Sequence, residues 1–81
     1  MSQDDGEAQV TQVMERVLRH LARHPQAGDT ADGVRHYWLG DDTLDPGIVE
    51  RALRRLIASG ALYERVLPSN EIWYGAAGRD A

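Results

Sequence analysis

Three groupings of polar residues in this chain have the types and spacing to do chemistry. His20 and His24 lie four residues apart, the separation at which two imidazoles on one helix can share a metal ion. Asp41 and Asp42 are adjacent carboxylates, the residue type that general acid–base catalysis uses. Arg51, Arg54 and Arg55 share one short stretch, and arginine is shaped to hold carboxylates or phosphates through paired hydrogen bonds.

The first two groupings lack what their chemistry would need. His24 abuts Pro25 at the expected end of a helix, where an imidazolium is favoured by the helix dipole. No motif supplies a third ligand, and His36 falls on another element, so no metal site is expected. Asp41-Asp42 reads as a loop or cap pair with no nucleophile or oxyanion donor beside it. There is no Gly-rich phosphate loop, and the absence of Cys excludes disulfides and thiolate metal sites. The expectation is a protein that binds and does not catalyse, with no cofactor.

The charge distribution bears on what the arginines meet. All nine basic residues are Arg, and the formal net charge is −4. Four of the thirteen acids, Asp4, Asp5, Glu7 and Asp80, lie near the ends, so the body of the chain is about neutral. Neither value gives the long-range pull on phosphate that a basic domain has. No apolar run reaches membrane-spanning length and no signal-peptide pattern opens the chain, which points to a cytoplasmic protein without membrane contact.

These residues must be positioned by one small core, since 81 residues allow no more. The span 1–7 is acidic and polar and reads as a disordered tail. From Ala8 to His24, Val10, Val13, Met14, Val17, Leu18 and Leu21 recur at helical spacing. Pro25 stops that helix, and Gln26-Ala27-Gly28 reads as a turn. A second start signal at Asp29-Thr30 leads into a short helix with Ala31, Val34, Tyr37 and Trp38 on its apolar face. Gly33 within it suggests close packing against a neighbour.

The third helix has the clearest punctuation. Asp45 is an N-cap candidate, Pro46 stands at the first helical position, Gly60 is a C-cap candidate, and Leu44 is placed to act as a hydrophobic staple. Ile48, Val49, Ala52, Leu53, Leu56 and Ile57 form one stripe, with Glu50 and the three arginines opposite. After Gly60 the period changes. Leu62 to Leu67 and Glu71 to Tyr74, joined by Pro68-Ser69-Asn70, read as a β-hairpin, with Asn70 able to take the left-handed turn position. Gly75 to Ala81 is expected to fray, with 77–81 a C-terminal tail.

The stretch Leu53-Arg-Arg-Leu-Ile-Ala-Ser-Gly-Ala-Leu62-Tyr63-Glu-Arg, then a turn, then Ile72-Trp73-Tyr74, resembles the end of a winged-helix domain. The resemblance covers roughly 8–76. It implies a small α+β winged helix, three helices followed by a two-stranded wing, in which the third helix is the recognition helix. In a DNA-binding member Arg51, Arg54 and Arg55 would meet phosphates or guanine edges, Arg65 on the wing would reach a neighbouring backbone, and Thr43 would bind phosphate near the helix start.

Two partner classes remain open. A DNA-binding transcription regulator is what the fold is often used for, and at this size it would work as a homodimer or with a partner. A protein–protein module is favoured by the four arginines and four acids between Asp45 and Gly75, by Glu50 one turn before Arg54, and by the aromatic pairs. One ring of Tyr37/Trp38 and one of Trp73/Tyr74 should face outward, and an outward Trp38 or Trp73 would anchor a protein partner.

Overall fold

The structure, a computed structural model, describes residues 3–77. Met1, Ser2 and most of the expected C-terminal tail lie outside the described residues. The elements run α1 (Gln3–Arg23), β1 (Gly28–Thr30), α2 (Ala31–Gly33, continued by a π-helical turn Val34–Trp38), α3 (Pro46–Ala58), β2 (Leu62–Val66) and β3 (Ile72–Ala76). Three helices and a three-stranded antiparallel sheet make this an α+β domain, the expected class.

Helix α3 is bounded as its sequence dictates. The Asp45 carboxylate accepts from the Gly47 amide at 3.2 Å, satisfying one of the orphan donors of the first turn. At the other end Gly60 takes φ +88°, its amide donates to Ile57 O, and the Ala61 amide donates to Leu56 O at 2.9 Å. That paired pattern is a Schellman cap, which needs the left-handed residue at Gly60. Ile48, Val49, Ala52, Leu53 and Leu56 are buried between the caps, and Ile57 and Leu44 pack partly buried against the same cluster.

The core closes around that stripe. Val10, Val13 and Val17 of α1, Val34 and Leu39 around α2, and Leu62 and Tyr74 of the sheet are buried with it. Leu18 lies at the border of the α1 stripe and stays 43% exposed. Two arginines tie the frame together through loop carbonyls: Arg16 donates to Leu39 O at 2.6 Å and Arg35 to Leu44 O at 3.4 Å.

The structure departs from the sequence expectation in four places, each with a physical reason. Helix α1 begins at Gln3, so the expected disordered tail is helical from that residue, and Glu7 in its second turn is held by α3. Gly28, expected as the last residue of a turn, opens a strand that runs to Thr30. It is too short to show an alternation and forms by pairing with β3, Gly28 opposite Gly75 and Thr30 opposite Trp73. Consequently the sheet has three strands in the order β1-β3-β2, not two, and Gly75 and Ala76 belong to β3 and do not fray.

The fourth departure is in α2. Thr30 caps it by accepting from the Gly33 amide at 3.3 Å, and the Asp29 carboxylate packs where a Gly33 side chain would stand. The helix then widens, with the Leu39 amide donating to Val34 O five residues back. One wide turn puts Leu39 in register with Val34 on the core side. Leu39 is therefore buried, and Tyr37, expected on the apolar face, is 73% exposed.

Replacing Gly60 tests the α3 cap without a packing change. A Cβ at this position would meet nothing within 4 Å, so the cost is conformational alone. Gly60→Ala should lower unfolding stability by about 1–2 kcal/mol, read as a reduced urea midpoint with an unchanged denaturant slope.

Candidate functional site

The outward face of α3 carries the residues singled out from the sequence, and the structure divides them. Arg51 and Arg55 converge on one carboxylate, Glu7 of α1. Arg51 Nη2 lies 3.1 Å from Glu7 Oε2, Arg55 Nη1 lies 2.8 Å from Oε1, and Arg55 Nη2 lies 2.5 Å from Oε2. This is a forked guanidinium–carboxylate pair with a second guanidinium added. The Arg55 hydrogen bond, aided by the charges of Arg55 and Arg51, holds the Glu7 carboxyl below the ordinary glutamate range. The contact in turn raises the Arg55 guanidinium. All three side chains stay about half exposed, so the bridge can exchange with solvent.

Arg54 stands apart from that bridge and has no ion-pair partner among the described residues. The helical pairing expected with Glu50 is not formed. Glu50 instead lines a crevice of about 290 Å³ between α3, the start of α2 and the hairpin, together with Asp32, Asn70, Glu71, Ile72 and Tyr74. Tyr74 is only 5% exposed. Burial, with the charges of Glu50 and Glu64, pushes its phenol above the usual range, and Arg54 opposes this in part.

Strand register decides which charge faces α3. Arg65 pairs with Trp73 and Glu64 with Tyr74. Directly opposed residues share a face, and neighbours along a strand alternate. Tyr74 points into the core, so Glu64 lies on the helix side of the hairpin and Arg65 on the outer side with Trp73. Arg65 therefore does not share a surface with Arg51, Arg54 and Arg55.

Thr43 is engaged within its own loop. Its amide donates to Asp41 Oδ1 at 3.0 Å, and its hydroxyl donates to the same oxygen. Those bonds hold the Asp41 carboxyl below the ordinary aspartate range, the hydroxyl contributing most. Asp42 is taken by His36, whose Nδ1 is 2.9 Å from Asp42 Oδ1. The adjacent acids thus have separate local partners.

The histidines and tryptophans are arranged by stacking. His20 lies parallel to Trp38 with ring centroids 4.7 Å apart, and His24 is 4.6 Å from His20 at a 35° tilt. Burial, followed by the charges of His24 and Arg23, holds the His20 imidazole below its usual range. Among the described residues no three His, Cys, Asp or Glu side chains are grouped to hold a metal ion. Trp38 packs partly buried against the core and stacks on His20.

Trp73 is half-buried on the outer face of the sheet, where its indole lies across Gly28, and the Tyr63 ring lies across Gly75. A Cβ at either glycine would come within 2.7 Å of the ring above it, so these two positions let the aromatics lie flat. On the opposite face of the hairpin, the one that carries Glu64 and Tyr74, the cross-strand pair Val66 and Ile72 is 67% and 38% exposed. The Glu7 contact with α3 and the grouping of Glu50, Glu71 and Tyr74 around one crevice were not expected from the sequence. The Ile72-Trp73-Tyr74 alternation carries part of that signal, but the inward face is set by pairing.

No helix among the described residues is long and apolar enough to cross a membrane. No protein-family model, curated protein or solved structure matches this chain.

The Glu7 bridge has a defined pH signature. A carboxyl lowered by folding stabilises above its unfolded value, and the gain is lost as pH falls through the folded value. Glu7→Gln should reduce the urea midpoint at neutral pH. Its difference from the wild type should close as pH drops from about 4.5 through that lower value, and should shrink with added salt.

Proposed function

We propose that this chain is a non-catalytic winged-helix binding module whose partner is a protein. The order of three helices and a hairpin, with the Gly60 step between α3 and β2, supports the winged-helix assignment. The observation that carries the choice of partner is the crevice beside α3. A DNA-reading helix and wing would line it with cations, because phosphate neutralisation supplies most nucleic-acid affinity. Here Asp32, Glu50 and Glu71 line it, and Glu64 rather than Arg65 is on that side of the hairpin.

Exposed apolar surface on the hairpin supports the same reading. Tyr63 on one face of the hairpin and Val66 and Ile72 on the other are open to solvent, and Trp73 is half-buried beside Arg65 on the Tyr63 face. Strand β2 is an edge strand, pairing only with β3 among the described residues, so its outer backbone groups are open to a partner strand.

A second reading, DNA binding through α3, is favoured by one observation: Arg51 and Arg55 already clamp an anion. A duplex titration separates the two. A mixed-sequence duplex at low salt should give no change in fluorescence anisotropy with the wild type, nor with Glu7→Gln, which frees both arginines. Binding that weakens steeply with salt and is lost in Arg51→Ala, Arg54→Ala or Arg55→Ala would establish the DNA reading instead.

A further inference from the structure

We propose that β2 is a self-pairing edge, on which a second copy of this chain lays its own β2 antiparallel about a two-fold axis at Glu64. The inference goes beyond the protein-module reading and is independent of it, since it concerns the sheet edge alone.

The ladder geometry shows which backbone groups are free. The Leu67 amide donates to Glu71 O at 2.8 Å, and the Ala77 amide donates to Ala61 O at 3.0 Å. Both bonds continue the register in which Tyr63 faces Gly75 and Arg65 faces Trp73. Hydrogen-bonded pairs recur at every second residue of an antiparallel ladder. Tyr63 and Arg65 therefore turn their N–H and C=O toward β3. Leu62, Glu64 and Val66 turn theirs to the open edge, where no strand pairs with them among the described residues. Short strands, Pro and bulges are what usually protect an edge. Strand β1, at the other edge, has three residues and runs straight into α2. Strand β2 has five residues in unbroken register, with no Pro and no bulge.

What selects a second copy is that the strand complements itself. With Glu64 at the axis, Leu62, Glu64 and Val66 meet the partner's Val66, Glu64 and Leu62, and every outward N–H and C=O of β2 is bonded. Tyr63 and Arg65 fall in the non-hydrogen-bonded pairs between them, where side chains approach most closely. Each Arg65 then faces the partner's Tyr63, a cation opposite an aromatic ring. Arg65 has no ion-pair partner among the described residues, and Tyr63 is 43% exposed. On the helix side Val66, 67% exposed, meets the partner's Leu62.

The axis pair of two Glu64 side chains is the single unfavourable contact. It sits in a wide, hydrogen-bonded pair, with both carboxylates free to reach solvent. Other axes are worse. An axis at Tyr63 sets Leu62 against Glu64, and one at Arg65 sets two guanidiniums opposite each other. Either shift also loses a hydrogen-bonded pair, because Gly60 lies outside the strand and Pro68 has no N–H. A two-fold axis through the sheet keeps both sets of helices on one side, so the pair forms one continuous sheet with three strands from each copy.

The test is sedimentation equilibrium of the full chain, with filtered NOEs from a mixture of ¹³C-labelled and unlabelled copies. The wild type should pass from monomer to dimer as concentration rises, with an intermolecular Hα–Hα contact between Tyr63 and Arg65. Glu64→Gln removes the repulsion at the axis and should tighten the dimer about fivefold. Arg65→Ser loses both cation–ring pairs and should weaken it about fivefold. Glu64→Pro should be folded and monomeric, since Pro is tolerated where the N–H of an edge strand faces solvent. Should that variant fail to fold, the wild-type Hα–Hα contact decides. A wild type that stays monomeric, a dimer that Glu64→Gln does not tighten or Glu64→Pro leaves intact, or intermolecular contacts elsewhere than between Tyr63 and Arg65 would overturn the proposal.

Discussion

Burial of the α3 stripe is the interaction on which the rest of this small domain depends. Leu53 and Leu56 are the largest fully buried side chains, and α1, α2 and the sheet each contribute their apolar face to the cluster around them. With no disulfide and no buried charge among the described residues, apolar packing is what opposes chain entropy. The two caps keep the stripe in register: Asp45 starts the helix, and the left-handed Gly60 turns the chain directly into Leu62, whose side chain joins the same core.

Because α3 is fixed in this way, its opposite face is fixed too, and the potential there is set by what surrounds that face. The chain supplies acids from three directions. Glu7 reaches across from α1 to take Arg51 and Arg55, Asp32 approaches from α2, and Glu71 approaches from the hairpin. Individually such surface charges contribute little to stability. Collectively they set the potential beside α3, and partner choice responds to that potential more than to any single pair. The α3 arginines thus sit in an acidic setting, and the proposed protein partner rests on that charge balance.

The sheet shows how the same strands can serve core and surface. Tyr74 turns inward and closes the core, while Trp73 and Tyr63 lie on the outer face over Gly28 and Gly75. The glycines provide the room that flat rings need. The π-helical turn does comparable work in α2, where it carries Leu39 into the core and leaves Tyr37 outside. In each case a local backbone feature allots side chains to the interior or to solvent.

The elements that local signals govern were legible in the sequence. The α3 caps and stripe, the end of α1 before Pro25, the hairpin and the left-handed Asn70, at φ 76°, follow from helical or alternating period and from turn chemistry. These depend on residues close in the chain. Strand β1, the α1 start at Gln3, the outward Tyr37 and the side of the hairpin that Arg65 occupies were decided by tertiary structure. Each depends on a partner far along the chain: β3 for Gly28 to Thr30, α3 for Glu7, the core for Leu39, and the Glu64–Tyr74 register for Arg65. Sequence alone determined which residues α3 buries and that it shows arginines outward. Only the fold decided that Glu7 would hold two of them and that carboxylates would line the crevice beside them, because charge pairing acts between groups brought together in space.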